Sequence, residues 1–174
     1  ACTGRNLIGW QQGWSATAVG SSGDDVIVYV GTRQGEVVAL DANKNGRLAS
    51  SEQLLWRFSP PEEQALGGVF GGMAVGEKYV YVGDKGDRNA DGGRLYALLR
   101  DRDRGHSANL RLDLGEWVRL IEGGIVGAPA LSESEDLVFV GSDNGSMYAF
   151  ATTGDEFGSR WRFETDGQVW STPA

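Results

Sequence analysis

Three near-identical tetrapeptides constrain this chain more than anything else in it: Val28-Tyr29-Val30-Gly31, Val80-Tyr81-Val82-Gly83 and Val138-Phe139-Val140-Gly141. Short runs of valine and aromatic residues suit a pleated, buried sheet. Each is followed by a turn and a second apolar run, namely Glu36-Val37-Val38-Ala39-Leu40, Arg94-Leu95-Tyr96-Ala97-Leu98 and Ser146-Met147-Tyr148-Ala149-Phe150. A tryptophan strand trails each hairpin: Leu55-Trp56-Arg57-Phe58, Glu116-Trp117-Val118-Arg119 and Arg160-Trp161-Arg162-Phe163. A strand of small residues precedes each, as in Ser15-Ala16-Thr17-Ala18-Val19, Gly72-Met73-Ala74-Val75 and Gly127-Ala128-Pro129-Ala130-Leu131, and Ser171-Thr172-Pro173-Ala174 opens a fourth unit.

Val30, Val82 and Val140 lie 52 and 58 residues apart. Four short strands recurring at that period predict an all-β chain of β-propeller blades, each of four antiparallel strands. About three blades plus part of a fourth are expected, an incomplete propeller, because such rings close with roughly four to eight. The expected division is 1–12 as a tether or a strand from a missing blade, and 13–174 as blades at 13–58, 69–120 and 124–163, with the next starting at 167–174. Small residues in the opening strand suit the crowded centre where the sheets converge.

Composition narrows the function classes. The 174 residues hold 27 glycines against 4 prolines, in keeping with many tight turns. A net charge of −8 repels phosphates and argues against nucleic-acid partners. No apolar run approaches the roughly 20 residues of a membrane-spanning helix. One cysteine, Cys2, and one histidine, His106, exclude an internal disulfide and a Cys/His zinc site. A Ser-His-Asp triad would have to use His106, which follows the polar run Asp101-Arg102-Asp103-Arg104-Gly105 and reads as an exposed loop residue, as does the Arg100–Arg104 stretch. No catalytic residue is assigned.

The run Val38-Ala39-Leu40-Asp41-Ala42, then Gly46, then Leu55-Trp56-Arg57-Phe58 resembles the PQQ-like repeat (pyrroloquinoline quinone type), Ala-x-Asp-x-x-Thr-Gly followed by tryptophan. Tyr148-Ala149-Phe150-Ala151-Thr152-Thr153-Gly154 with Trp161 is a second match. The middle copy departs, with Leu99 at the aspartate position and no Thr-Gly pair. The resemblance covers roughly 13 to 174. It implies that Trp56, Trp117 and Trp161 pack between neighbouring blades; Trp10, Trp14 and Trp170 lie off that register. It also implies a non-catalytic scaffold of the cell envelope, binding a protein or glycan ligand on a propeller face. The alternative it carries is part of a PQQ-dependent dehydrogenase oxidising alcohols or sugars. That family often has a vicinal cysteine pair, which is absent here, and no residue matches its cofactor site.

Two acidic loops suggest calcium. Asp41-Ala42-Asn43-Lys44-Asn45-Gly46 with Glu52 fits the EF-hand spacing D-x-[DN]-x-[DN]-G-x5-E. Asp41, Asn43 and Asn45 would supply side-chain oxygens, Arg47 its carbonyl and Glu52 two closing oxygens, although a strand rather than a helix precedes the loop. The second loop, Asp84-Lys85-Gly86-Asp87-Arg88-Asn89-Ala90-Asp91-Gly92, offers Asp84, Asp87, Asn89 and Asp91 but no closing carboxylate downstream. Calcium loops serve where free calcium is high. Ala1-Cys2 fits the end of a bacterial lipoprotein signal, with Cys2 as the lipidated residue and Thr3-Gly4-Arg5-Asn6 as a polar tether. Together these predict a periplasmic or cell-surface protein, lipid-anchored through Cys2.

Overall fold

The computed structural model describes residues 17–22, 24–43, 53–60, 67–86, 92–102, 105–107, 109–152 and 159–174. Among these the regular structure is strand, apart from one 3-10 turn at Leu112–Leu114. The strands are β1 (Thr17–Ser22), β2 (Asp25–Gly31), β3 (Val37–Asp41), β4 (Leu54–Phe58), β5 (Met73–Val75), β6 (Tyr79–Gly83), β7 (Gly92–Leu99), β8 (Gly105–Ser107), β9 (Trp117–Glu122), β10 (Ala130–Leu131), β11 (Leu137–Gly141), β12 (Ser146–Ala151) and β13 (Ser159–Glu164). They form three antiparallel sheets in the orders β1-β2-β3-β4, β5-β6-β7-β9 and β10-β11-β12-β13.

The repeat is also a register. Tyr29 pairs with Ala39 and Ala39 with Trp56; Tyr81 with Ala97 and Ala97 with Trp117; Phe139 with Ala149 and Ala149 with Trp161. A methyl group between two large rings lets them meet above it. The ring centroids of Tyr29–Trp56, Tyr81–Trp117 and Phe139–Trp161 are each 5.9 Å apart. Tilted aromatic pairs at this separation add to what their burial contributes.

The cores lie between sheets. Ile27, Tyr29, Trp56 and Phe58 of the first sheet meet Met73, Val80, Val82, Tyr96 and Leu98 of the second. Tyr81, Leu95, Trp117 and Ile121 on the opposite face of the second sheet meet Val138, Val140, Tyr148 and Phe150 of the third. Trp56 and Trp117 are 1% and 4% exposed, whereas Trp161, on the trailing face of the third sheet, is 43% exposed. The tryptophans followed by another sheet are the buried ones.

One joint recurs at every seam. The Val69 N–H donates to the Thr32 carbonyl (3.1 Å), Ile125 to Asp84 (2.8 Å) and Val169 to Ser142 (3.0 Å). Each of these residues lies on the glycine that closes the tetrapeptide. A Cβ on Gly31, Gly83 or Gly141 would fall inside the Val69, Ile125 or Val169 side chain. Nearer the axis, Gly71 rests on the Val126 and Gly127 carbonyls, and Gly127 on the Trp170 and Ser171 carbonyls. The connectors therefore pass main chain against main chain, the crowding expected of converging sheets. Trp170, out of register with the strand tryptophans, follows Val169 as Phe70 follows Val69, and so belongs to a connector.

Arg100 and Arg102 depart from the expectation of an exposed loop. β8 adds to the outer edge of β4 in parallel, pairing Gly105 with Trp56, His106 with Arg57 and Ser107 with Phe58. Arg102 is buried and Arg100 half-buried. The physical reason is tertiary: Glu116 neutralises Arg102, and carbonyls of the first two sheets accept from Arg100.

Antiparallel connectivity assigns each loop to an end of its sheet. The β2–β3, β6–β7 and β11–β12 turns share one end; the β3–β4 and β7–β9 connections share the other. The two candidate calcium loops, β3–β4 and β6–β7, thus lie at opposite ends of the blades.

Candidate functional site

Asp41 closes β3, where its N–H donates to the Gln53 carbonyl (2.8 Å) and its carboxylate accepts the Asn43 N–H (3.0 Å). The Asn43 side-chain amide donates to the Asp24 carbonyl (2.7 Å) and the Asp25 carboxylate (3.4 Å). The hairpin between β1 and β2 is thereby drawn to the start of the first loop, and Asp25 joins the oxygen-bearing groups that sequence spacing had singled out. Asn45, Arg47 and Glu52 lie outside the described residues. So do Asp87, Asn89 and Asp91 of the second loop, and Cys2, Trp10 and Trp14. Among the described residues no three His, Cys, Asp or Glu side chains converge as a metal-holding group.

Asp84 is fully buried. Its carboxylate accepts the N–H groups of Arg94 (2.7 Å), Gly86 (2.8 Å) and Gly67 (2.9 Å). Burial raises its pKa, and those three donors oppose the rise. The carboxylate sits where Thr32 and Ser142 sit in the other sheets. It binds the two ends of the longer β6–β7 loop to each other and to the connector.

A second buried acid holds the strap, the segment between β7 and β9 that carries β8. Glu116 is paired with Arg102, their side chains 0% and 2% exposed. The Glu116 carboxylate also accepts the N–H groups of Leu99 (2.8 Å) and Arg111 (2.6 Å), and Arg102 donates to the Asn109 carbonyl (3.0 Å). The Arg102 guanidinium lies 5.7 Å from the centre of the Trp56 ring and 5.0 Å from that of Phe58. Such a pair is tolerated away from water because its remaining hydrogen bonds are filled. Trp56 Nε1–H donates to the Arg100 carbonyl (2.9 Å).

Arg100 bridges the first seam. It donates to the Tyr29 hydroxyl (3.2 Å), the Gly76 carbonyl (2.9 Å), the Glu77 carbonyl (3.2 Å) and the Ser21 carbonyl. Thr152 is its counterpart at the second seam, where its hydroxyl donates to the Glu135 carbonyl (2.5 Å). The Tyr29 and Tyr81 phenols are pushed up in pKa by burial. Phe139 brings no hydroxyl to the third position. On the opposite end of the sheets, Arg33 and Lys85 lie 5.4 and 5.7 Å from the centre of the Phe70 ring. Tyr79 is buried.

This repeated geometry was compared with known proteins. No family model matches the chain. A polyvinylalcohol dehydrogenase from Pseudomonas sp is 31% identical over 152 residues, covering 84% of this chain and 22% of the relative. The chain spans about a fifth of that relative's length. These are PQQ-like β-propeller blades. Among solved structures, the PQQ-like blades are similar to BamB from Moraxella catarrhalis, with a TM-score of 0.51, 17% identity, and coverage of 85% of this chain and 35% of that one. They are also similar to BBS1N in complex with ARL6DN, with a TM-score of 0.55, 13% identity, and coverage of 89% and 41%. At these identities both matches speak for the propeller fold.

The PQQ-like repeat was found from its tetrapeptides and tryptophans. The charged residues that join the blades, Arg100, Arg102 and Glu116, carried no sequence signal beyond alternating charge. The Asp84 cage likewise rests on main-chain donors, which side-chain spacing does not encode.

Proposed function

We propose that these blades belong to a non-catalytic β-propeller scaffold of the cell envelope, one that binds protein or glycan partners on its exposed surfaces. The observation that carries this reading is the use made of the buried charges. Asp84 gathers three main-chain N–H groups, Glu116 is filled by Arg102 and two N–H groups, and Arg100 spans a seam. Acids tied down in this way are joints, and a general acid or base must instead reach a substrate. The solved complex of BBS1N with ARL6DN supports a protein-binding role for blades of this shape.

On this reading calcium stiffens the loops at opposite ends of the blades. Asp41, Asn43, Asn45, the Arg47 carbonyl and Glu52 hold one ion, a donor set of hard oxygens suited to it. Asp87, Asn89 and Asp91 hold a second, to which Asp84 contributes little because its oxygens already accept three N–H groups. A lipidated Cys2 tethers the protein outside the cytoplasm.

The identity to polyvinylalcohol dehydrogenase favours a second reading, in which the blades are part of a quinoprotein. Titration of the full-length protein with PQQ and calcium separates the two. The scaffold reading expects no bound-quinone absorbance and no dye-linked oxidation of alcohols; a saturable quinone spectrum with turnover ends it.

A further inference from the structure

We propose that Asn144 is a modification site, an asparagine that the folded β11–β12 turn shields from deamidation and that converts to aspartate and isoaspartate when this turn opens. The proposal stands apart from the scaffold reading and rests on the chemistry of the turn.

Asn144 precedes Gly145. An asparagine is most open to this reaction before glycine, which has no Cβ to hinder attack on the side chain ahead of it. The Gly145 nitrogen, having given up its proton, attacks Asn144 Cγ, and the side-chain nitrogen leaves as ammonia. Water then opens the succinimide at one of its two carbonyls. One opening leaves an ordinary aspartate. The other leaves an isoaspartate, whose main chain runs through the former side chain and is one methylene longer. Water is the only co-reactant.

The turn opposes each part of this. The Gly145 N–H donates to the Ser142 carbonyl (3.2 Å), so the attacking nitrogen is engaged, on a residue held at a φ of 83°. The carboxamide is pinned at both ends. Its Oδ1 accepts the Ser146 N–H (2.9 Å), and its Nδ2 donates to the hydroxyl of Tyr148 (2.8 Å), a buried residue. To reach the Gly145 nitrogen, Cγ must break both bonds. The first sheet carries an internal control. Its corresponding turn is Thr32-Arg33-Gln34-Gly35, with glutamine where Asn144 stands. From that longer side chain the same attack closes a larger, slower-forming ring.

The turn is also a junction. The Gly145 carbonyl accepts the N–H (2.7 Å) and the hydroxyl (2.8 Å) of Thr165. The Asp143 carboxylate accepts the Gly124 N–H (2.6 Å), and a Cβ on Gly123 would lie 2.9 Å from that of Asn144. A methylene inserted here shifts those groups out of register. A chain that has opened and formed isoaspartate therefore does not reclose the second seam as before.

The test incubates three samples at mildly alkaline pH: the full folded chain, the same chain unfolded in urea, and an end-capped peptide of residues 138–150. Site-resolved mass spectrometry with isoaspartate detection reads residue 144 alone, since the chain has a second Asn-Gly pair, Asn45-Gly46, outside the described residues. Conversion at Asn144 should be about tenfold or more slower in the folded chain than in the other two, because it waits on local opening. Gln34 should stay intact in all three. Tyr148→Phe should speed conversion in the folded chain about two- to tenfold, the worth of one hydrogen bond, with amide exchange at Leu137–Gly141 unchanged. Thr165→Val, which removes a hydroxyl from the Gly145 carbonyl, should act in the same direction. Conversion in the folded chain as fast as in the peptide overturns the proposal. So does the parent rate in both variants.

Discussion

Asp84 takes the position of a hydroxyl, Thr32 in the first sheet and Ser142 in the third. Thr32 Oγ1 serves one N–H, that of Glu36 at 3.1 Å, because its turn is short. The β6–β7 loop is longer, and a carboxylate reaches both its ends, Gly86 and Arg94, as well as the Gly67 connector. Asp84→Asn keeps the shape but turns an amide NH2 toward a buried N–H. It should cost about 1–3 kcal/mol in chemical denaturation. The pH dependence has a definite sign. The folded-state pKa is raised above the unfolded value of about 3.9. The fold therefore favours the protonated acid, and the parent gains stability as pH falls through the raised pKa toward that value. The asparagine variant should lack this gain in melting scans. Spacing alone made Asp84 a candidate ligand; what it lacked was the position of three main-chain donors, which only the folded loop provides.

At the scale of strands, the sequence was most legible where side chains repeat. β2, β6 and β11 were visible as tetrapeptides, and β4, β9 and β13 as tryptophan strands, because each repeats the same large apolar residues at a fixed place in its sheet. β8 was not visible. Its three residues, Gly105, His106 and Ser107, have no apolar periodicity, and their pairing partner, β4, belongs to the preceding repeat of the sequence. The first loop can be tested directly. Asn43 already ties its start to the β1–β2 hairpin, so an ion bound there should stiffen the outer half of the first sheet. Calcium should raise the melting temperature of the parent relative to chelator, and Glu52→Gln should abolish the rise. Equal melting in calcium and chelator for the parent rules out an ion at this loop.

For the molecule as a whole, stability depends on seams. Each seam sets a glycine without a side chain beneath a branched residue of the connector, and the second pairs Gly83 with Ile125. Gly83→Ala should overpack that seam at a cost of about 1–3 kcal/mol. Ile125→Ala should open a cavity at a cost of about 2–5 kcal/mol. Combined, the two should cost less than their total, by about 0.5–3 kcal/mol, because the added methyl enters the space the isoleucine leaves. Strict additivity in denaturation midpoints would place the joint elsewhere.

The strap gives assembly an order. Protein synthesis delivers the first of these sheets before the others, yet that sheet receives its fifth strand only when residues 105–107 have been made, and the acid that locks Arg102 arrives later still at position 116. Until the ribosome has passed that point, the earliest sheet carries a sticky rim. A nascent chain stalled between Phe58 and Glu116 therefore leaves the outer edge of β4 open to a chaperone.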